Sequence, residues 1–338
     1  MAESAHRIVA DGQMELWRIS VPFSNGPIEA TNCYVVKSGS NALIVDTGAK
    51  SRRGLETLRG ALAELRVDPR EADYFITHLH FDHVGLLSSL AGPRSRIYLG
   101  ALEWPLAGGR SVEKRGCWLE SRLLLAGVPL AEMNAYKRYL SAGNGQVPEG
   151  LDVRLVSQDT PITVGRLSLR AIELPGHTRG HMGIFCEQGG VLMSGDHVLF
   201  KFSPSISVGP DWQNPLGDYL DSLRGILKGG CLQLCCAHGE PSSSYRERVE
   251  WLIRHHELRL EAIVDMVAHR PNMSGYEIIR ALDWNVPAGN WEDIAPLQRW
   301  CILKEGIAYL QCLVEEGRAS ASCDDGILRY RVALSHLR

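Results

Sequence analysis

Between Thr77 and Gly85 the chain reads THLHFDHVG, which packs three imidazoles and a carboxylate into six residues at the end of an apolar strand. Neutral imidazole nitrogen and carboxylate oxygen are ligand types that zinc, manganese and iron accept. His78 and His80, two apart in an extended segment, face one way, whereas Asp82 and His83, at the start of the next helix, can face another. One short motif can therefore supply two metal sites. A single histidine is as often a hydrogen-bonded structural residue as a ligand, but four such groups in one loop are not accounted for in that way.

The same pattern recurs downstream. PGHTRGH (Pro175–His181) follows the run AIEL, SGDH (Ser194–His197) follows GGVLM, and AHGE (Ala237–Glu240) follows LQLCC. Each polar segment begins where an apolar run ends, and strand ends are where sites assemble. MELWRISVPF, TNCYVVKSG and NALIVDTG are rich in β-branched and aromatic residues and predict three strands, with SGSN as a hairpin turn between the last two. RGLETLRGALAEL has apolar residues at helical spacing and predicts a helix on a sheet face. Residues 101–150 change texture. They hold two helical patterns, SVEKRGCWLESRLLLAG and LAEMNAYKRYL, followed by a stretch of breakers, and read as a helical insertion that can serve as a lid. Its apolar residues (Trp104, Trp118, Leu123, Leu124, Leu125, Met133) fit core packing first and cover for an apolar acyl group second.

After Pro241 the chain turns helical, with one long amphipathic stretch that Arg270-Pro271 stops. Two further helical patterns and a pair of strands around a DDG turn then look like a winged-helix module. At 338 residues the chain is long for one domain. The expected division is a catalytic domain over 1–243, containing the insertion at 101–150, and a helical, winged-helix-like domain over 244–338.

Composition narrows the classes. A hydrophobic share of 45% and a charged share of 22% are those of an ordinary folded protein. The formal net charge of -3 provides no global attraction to nucleic acid. No apolar run reaches the ~18 residues of a membrane span. The N-terminal residues lack the basic-then-apolar order of a secretion signal. The nine cysteines are odd in number and lack paired CxxC spacing, which fits reduced thiols. A cytoplasmic location is expected. Cys235 and Cys236 stand beside His238, but successive strand residues face opposite sides, so at most one points into the site.

HLHFDH, GHTRGH, SGDH and AHGE, in this order and preceded by LIVDTG, resemble the metallo-β-lactamase superfamily over roughly Met14 to Glu240. The resemblance implies an α/β fold, a four-layer αββα sandwich with metals at one edge, here followed by the helical C-terminal domain. Carried over position by position, it implies that His78, His80 and His177 hold one metal ion, that Asp82, His83 and His238 hold the other, and that Asp196 bridges them. Asp46 matches a buried aspartate that supports the ligand loop. His181 matches a histidine that supports the site, and Thr77 and Thr178 are expected to hydrogen-bond the imidazoles from behind. His197 is expected to point away along its strand, and His255, His256 and His269 to take solvated or interfacial positions. The implied cofactors are two divalent cations, zinc ahead of iron or manganese.

Two cations sharing an oxygen ligand bring the pKa of bound water towards neutrality, so the implied activity is hydrolysis by a metal-bound hydroxide that Asp82 also orients. The fold alone does not choose the bond. Asp196 stands where the family's β-lactamases often carry cysteine, and AHGEP differs from the final motif of its glutathione-thioester hydrolases. The family's lactonases carry a tyrosine soon after the bridging aspartate, where this chain has His197-Val198-Leu199-Phe200. The remaining likeness is to glyoxalase II-like and β-lactamase-like protein 2-type hydrolases with a helical or winged extension. It implies a small-molecule ester or thioester as substrate, ahead of single-strand RNA or a lactone. Arg318, Arg329 and Arg331 argue for RNA, and the neighbouring Glu315, Glu316, Asp324 and Asp325 against it. Homodimerisation is another role open to the tail. Arg179, Lys201, Phe202 and Trp212 lie close in sequence to the expected ligands and are candidate substrate contacts.

Overall fold

Short runs dense in β-branched and aromatic residues become strands because such side chains pack well on a pleated, half-buried surface. The computed structural model describes residues 5–11, 14–25, 28–107, 109–140 and 145–333. Seven strands form the first sheet in sequence order: β1 (Ala5–Asp11), β2 (Met14–Asn25), β3 (Ile28–Ser38), β4 (Asn41–Val45), β5 (Asp73–Ile76), β6 (Arg96–Gly100) and β7 (Asp152–Val156). Pairing is antiparallel as far as β4 and parallel from β4 to β7. A second sheet has the order β12-β11-β10-β9-β8 and consists of β8 (Pro161–Val164), β9 (Leu167–Glu173), β10 (Met182–Cys186), β11 (Val191–Gly195) and β12 (Gln233–Cys236). In it β11 and β12 are parallel.

The period of two along each strand sorts residues between layers. Cys33 and Val35 of β3, Ile44 of β4 and Tyr74 of β5 share a core with Leu58, Ala61 and Leu62 of α1 (Arg52–Glu64). Their neighbours Tyr34, Val36, Leu43, Val45 and Phe75 join Leu169, Ile184, Met193 and Cys235 of the second sheet in another core. Helix α1 is the crossover that parallel strands β4 and β5 require, and it starts at Ser51, whose hydroxyl accepts the Gly54 N–H at 2.9 Å. Two single-turn helices, α2 (Phe81–Val84) and α3 (Leu87–Leu90), follow β5.

The remaining elements are α4 (Gly109–Leu125), α5 (Leu130–Leu140), α6 (Pro215–Lys228), α7 (Tyr245–His269), β13 (Met273–Ser274), α8 (Gly275–Ala281), α9 (Pro296–Glu315), β14 (Ala319–Asp324) and β15 (Ile327–Val332). The last strands pair in the order β13-β15-β14. The residue pattern predicts most of these elements but not β1, β6 or α6.

Packing divides the chain into two units, each drawn from three stretches. One comprises Met1–Gly108, Gly143–Pro204 and Gly225–Val249; the other comprises Gly109–Ala142, Ser205–Arg224 and Glu250–Arg338. This grouping differs from the expected division after residue 243, and the reason lies in α5. Tyr136 of α5 is fully buried, with its ring 5.8 Å from that of Trp300 in α9. Glu132 of α5 accepts hydrogen bonds from Tyr136, Trp291 and Arg299. A half-buried carboxylate with that many donors ties the insertion to the C-terminal helices.

His256 departs from expectation. It is fully buried, and its Nδ1 meets the Tyr309 hydroxyl, so it is a core residue and not a solvated one. His255 stacks on Trp251, and His269 is exposed. All nine cysteines are free thiols. Among the described residues no helix is long and apolar enough to cross a membrane.

Candidate metal centre

The polar segments singled out in sequence leave their strands at C-terminal ends. Asp46 follows β4, Thr77 and His78 follow β5, Asp196 follows β11 and His238 closely follows β12. Backbone hydrogen bonds join the sheets at these points: Met182 N–H to the Thr77 carbonyl (2.8 Å) and Asn32 N–H to the Ala237 carbonyl (2.7 Å). Two groups of donor atoms result, His78, His80, His177 and Asp196 in one and Asp82, His83 and His238 in the other, with the atoms of each group within 4.8 Å of one another. Asp196 faces both. Its Oδ2 is 3.5 Å from His177 Nε2 and 3.5 Å from His83 Nε2, while its Oδ1 is 3.3 Å from His238 Nε2. Asp82 Oδ2 is 3.4 Å from His238 Nε2 and 3.7 Å from His83 Nε2.

The donor set suits divalent cations. His80 Nδ1 lies 2.9 Å from His78 Nε2 and 3.0 Å from His177 Nε2, so one proton cannot serve both contacts. Among the described residues, buried His83 Nε2, His238 Nε2 and Asp196 Oδ1 have no hydrogen-bond partner. Buried polar atoms are almost always paired, and inward-facing ring nitrogens around a carboxylate are what a cation satisfies once the rings give up their protons.

Charge is distributed unevenly between the groups. Burial, reinforced by the His83 and His80 rings, holds His78 well below the ordinary histidine range, and burial together with His177 does the same to His80. Burial also opposes a charge on His83 and His238, but the nearby carboxylates prevail. Asp196, Asp46 and Asp82 raise His83 well above its usual value, and Asp196 and Asp82 push His238 up to about 10. Despite its burial, Asp196 is held well below the carboxylate range by His238 and His83. Without metal, His78 and His80 therefore present neutral rings, whereas His83 and His238 are held towards imidazolium between carboxylates.

The supporting residues choose which nitrogen faces inwards. Asp46 Oδ2 is 2.8 Å from His83 Nδ1, and the Ala30 carbonyl is 2.8 Å from His238 Nδ1, which leaves each Nε2 free. The Thr77 hydroxyl donates to Asp46 Oδ2 at 2.9 Å, so its oxygen is available to His78 Nδ1 at 3.1 Å. His181 Nε2 accepts the Asp196 N–H at 3.1 Å, in keeping with a supporting role. Gly195 has φ +53°, and a Cβ there would come within 2.7 Å of that same His181 Nε2, so the turn before Asp196 needs glycine. Thr178, next to His177 in the chain, is buried, and its hydroxyl has no hydrogen-bond partner among the described residues. His197 is fully buried.

Two further supports carry no signal in the local sequence. Glu103, fully buried, accepts the Leu79 N–H with Oε2 (3.1 Å) and the Gly180 N–H with Oε1 (3.2 Å). It thereby clamps the loop of His78 and His80 to the loop of His177. The Asn32 carboxamide donates to the carbonyls of Cys236 (3.1 Å) and Gly239 (2.6 Å), on either side of His238. Cys235 faces the core between the sheets, and Cys236 Sγ lies 3.2 Å from the His238 carbonyl.

Among the candidate substrate contacts, Arg179 is half-buried, while Lys201 and Phe202 are exposed, all in the unit that holds the donor groups. Trp212 belongs to the other unit, where it is buried and donates its indole N–H to Asp218 at 2.7 Å. An aromatic pair not singled out in sequence stands beside the second donor group. Phe23 lies edge-on to Phe81, with ring centroids 6.0 Å apart, and its own centroid is 6.3 Å from that of His238.

The family model described as Metallo-beta-lactamase superfamily matches residues 26–238. The chain is 25% identical over 275 residues to the lactamase-like protein nscB of Aspergillus fumigatus, an alignment covering 77% of this chain and 68% of that protein. It is also 25% identical over 211 residues to an atrochrysone carboxyl ACP thioesterase of Claviceps purpurea, covering 62% of this chain and 51% of that one. Among solved structures, a metallo-beta-lactamase family protein from Thermus thermophilus is similar with a TM-score of 0.73 and 26% identity, covering 94% of this chain and 98% of that chain.

Proposed function

The chain belongs to the metallo-beta-lactamase superfamily, and on that footing we propose that it hydrolyses an ester or thioester of a small organic acid with two divalent cations at its two donor groups. The observation that carries this reading is Asp196, whose two oxygens face donor nitrogens of different groups. His78, His80, His177 and Asp196 would hold one ion, and Asp82, His83, His238 and Asp196 the other. The nitrogen-rich set favours zinc ahead of iron or manganese. When bound, such a pair supplies Lewis acidity towards a substrate oxygen and a nucleophile drawn from water at neutral pH.

The chain's own residues do the rest. Burial raises the cost of ionising Asp82, but His83 and His238 hold its pKa below the ordinary carboxylate value, so it stays charged and can accept a hydrogen from the attacking water. Asp46, Thr77 and Ala30 keep the imidazoles from rotating, which fixes the reacting geometry in advance. Phe23 and Phe81 offer an apolar edge for the substrate beside the second group.

A thioester is supported by the likeness to a thioesterase. An RNA substrate is less well supported, because the basic residues of the tail already have partners: Arg318 pairs with Glu316, Arg329 with Glu277, and Arg331 with Asn272. Metal analysis followed by a panel of acyl thioesters, esters and single-stranded RNA tests the reading. Metal-dependent thioester or ester turnover that disappears in Asp196→Ala is expected. Cleavage of RNA with no acyl turnover would overturn it.

A further inference from the structure

We propose that the unit containing α4, α9 and β15 carries a ligand site of its own, built for an amphipathic monocarboxylate with a hydroxyl or amide donor near its acid group. A cavity of about 410 Å³ lies wholly among residues of that unit, within the ~300–1,000 Å³ that small-molecule sites occupy. Three polar side chains line it without being used by the protein. The Arg122 guanidinium rests over the Trp118 ring at 5.4 Å and forms no ion pair among the described residues. The Tyr330 side chain is buried, and its hydroxyl makes no hydrogen bond among the described residues. The side-chain oxygen of Gln311 is buried and has no hydrogen-bond partner among the described residues.

An unpaired cation, an unpaired hydroxyl and an unpaired acceptor in one cavity define a complementary ligand. A carboxylate accepts from the Arg122 guanidinium, for which it is the natural planar partner, and from the Tyr330 hydroxyl. Gln311 also lines the cavity, and a hydroxyl or amide N–H on the same molecule meets its carboxamide oxygen when that side chain turns towards the ligand. Ile307, Leu310, Leu328 and the Trp118 ring supply an apolar part of the wall, which takes a carbon skeleton. Trp212 also lines the cavity and is held rigid by its bond to Asp218, so the wall is preformed. The exposed carboxylates Asp211 and Glu315 also line it and disfavour a second negative charge, which selects a monoanion over a dicarboxylate or phosphate.

This site is independent of the hydrolase reading, and the test separates the two. The probe is 3-hydroxyoctanoate, with octane-1,3-diol as its uncharged counterpart, titrated calorimetrically into the full-length protein. Saturable one-to-one binding of the acid is expected, about tenfold or more tighter than the diol, and weakened about tenfold in Arg122→Gln. Tyr330→Phe, which removes only the hydroxyl, should weaken binding severalfold and covers the case in which Arg122→Gln does not fold. Asp196→Ala and chelated protein should bind as well as the untreated chain. Absence of saturable binding at millimolar acid, undiminished binding in a folded Arg122→Gln or in Tyr330→Phe, or loss of binding on chelation would each overturn the proposal, the last by placing the acid at the metal centre.

Discussion

The Asp46 carboxylate lies 2.8 Å from Nδ1 of His83 and accepts both the N–H and the hydroxyl of Thr77, from a backbone with φ +59°. A non-glycine residue in the left-handed region is uncommon and carries strain of order 1–3 kcal/mol. Here that conformation aims one carboxylate at two segments of the ligand loop. Asp46→Asn should leave the fold intact but weaken the hold on His83. Metal affinity of the second group is expected to fall by about 10- to 100-fold, read by metal titration with a chelator competitor. Unchanged affinity would show that His83 is oriented by something else.

Glu103 joins the two loops that supply the imidazoles of the first donor group. Glu103→Gln keeps the volume but turns a donor towards one of two backbone N–H groups. The expected result is metal affinity of the first group lowered about tenfold, with kcat reduced more than KM is raised. Glu103→Ala would leave both N–H groups unpaired and destabilise the chain by about 2–4 kcal/mol. Denaturant melts of both variants check the prediction.

Loading the second donor group must expel protons. In the metal-free chain burial disfavours the charged form of His238, yet Asp196 and Asp82 bring its pKa to about 10, and His83 is likewise raised. Both rings are therefore held towards the doubly protonated, charged form at neutral pH, whereas a ligating imidazole is neutral. Apparent metal affinity should rise with pH up to about 10. Calorimetry in buffers of different ionisation enthalpy should report about two protons released per second-site ion at pH 7, and release of none would refute the assignment of these rings as ligands.

In α9, burial outweighs the opposing influence of Arg259 and Lys304 and pushes the Glu305 carboxyl up to about 7 from its ordinary 4.5. A folded pKa above the unfolded one means that the native state binds the proton more tightly. Its contribution to stability is fully present below pH 4.5 and is lost as pH rises towards 7. Glu305→Gln should remove that dependence and gain up to roughly 3 kcal/mol relative to the parent at pH 7. Thermal melts of the parent and variant from pH 4.5 to 7.5 should diverge progressively, and parallel curves would contradict the assignment.

Much of the metal centre was legible in the sequence because its donors are chemically distinctive and cluster locally. His78, His80, Asp82 and His83 fall within six residues, and each remaining donor follows an apolar strand. The strands were legible for a related reason: a period of two is a local property, as Cys33 and Val35 on one face and Tyr34 and Val36 on the other illustrate. Glu103 and Asn32 were not legible, since nothing in ALEWP or TNCYV signals that one carboxylate would reach Gly180, 77 residues away, or that one carboxamide would reach Gly239, 207 residues away.

The amino-acid order determined which donors exist and that they sit at strand ends. It did not determine which nitrogen of each imidazole faces inwards, because that depends on what occupies the other nitrogen. For His83 the occupant is Asp46, 37 residues away, and for His238 it is the Ala30 carbonyl, 208 residues away. Nor did it determine that the insertion helices would pack with the C-terminal helices, since an amphipathic face specifies that it must be covered but not by which partner. Those choices are long-range packing decisions, and only the folded chain makes them.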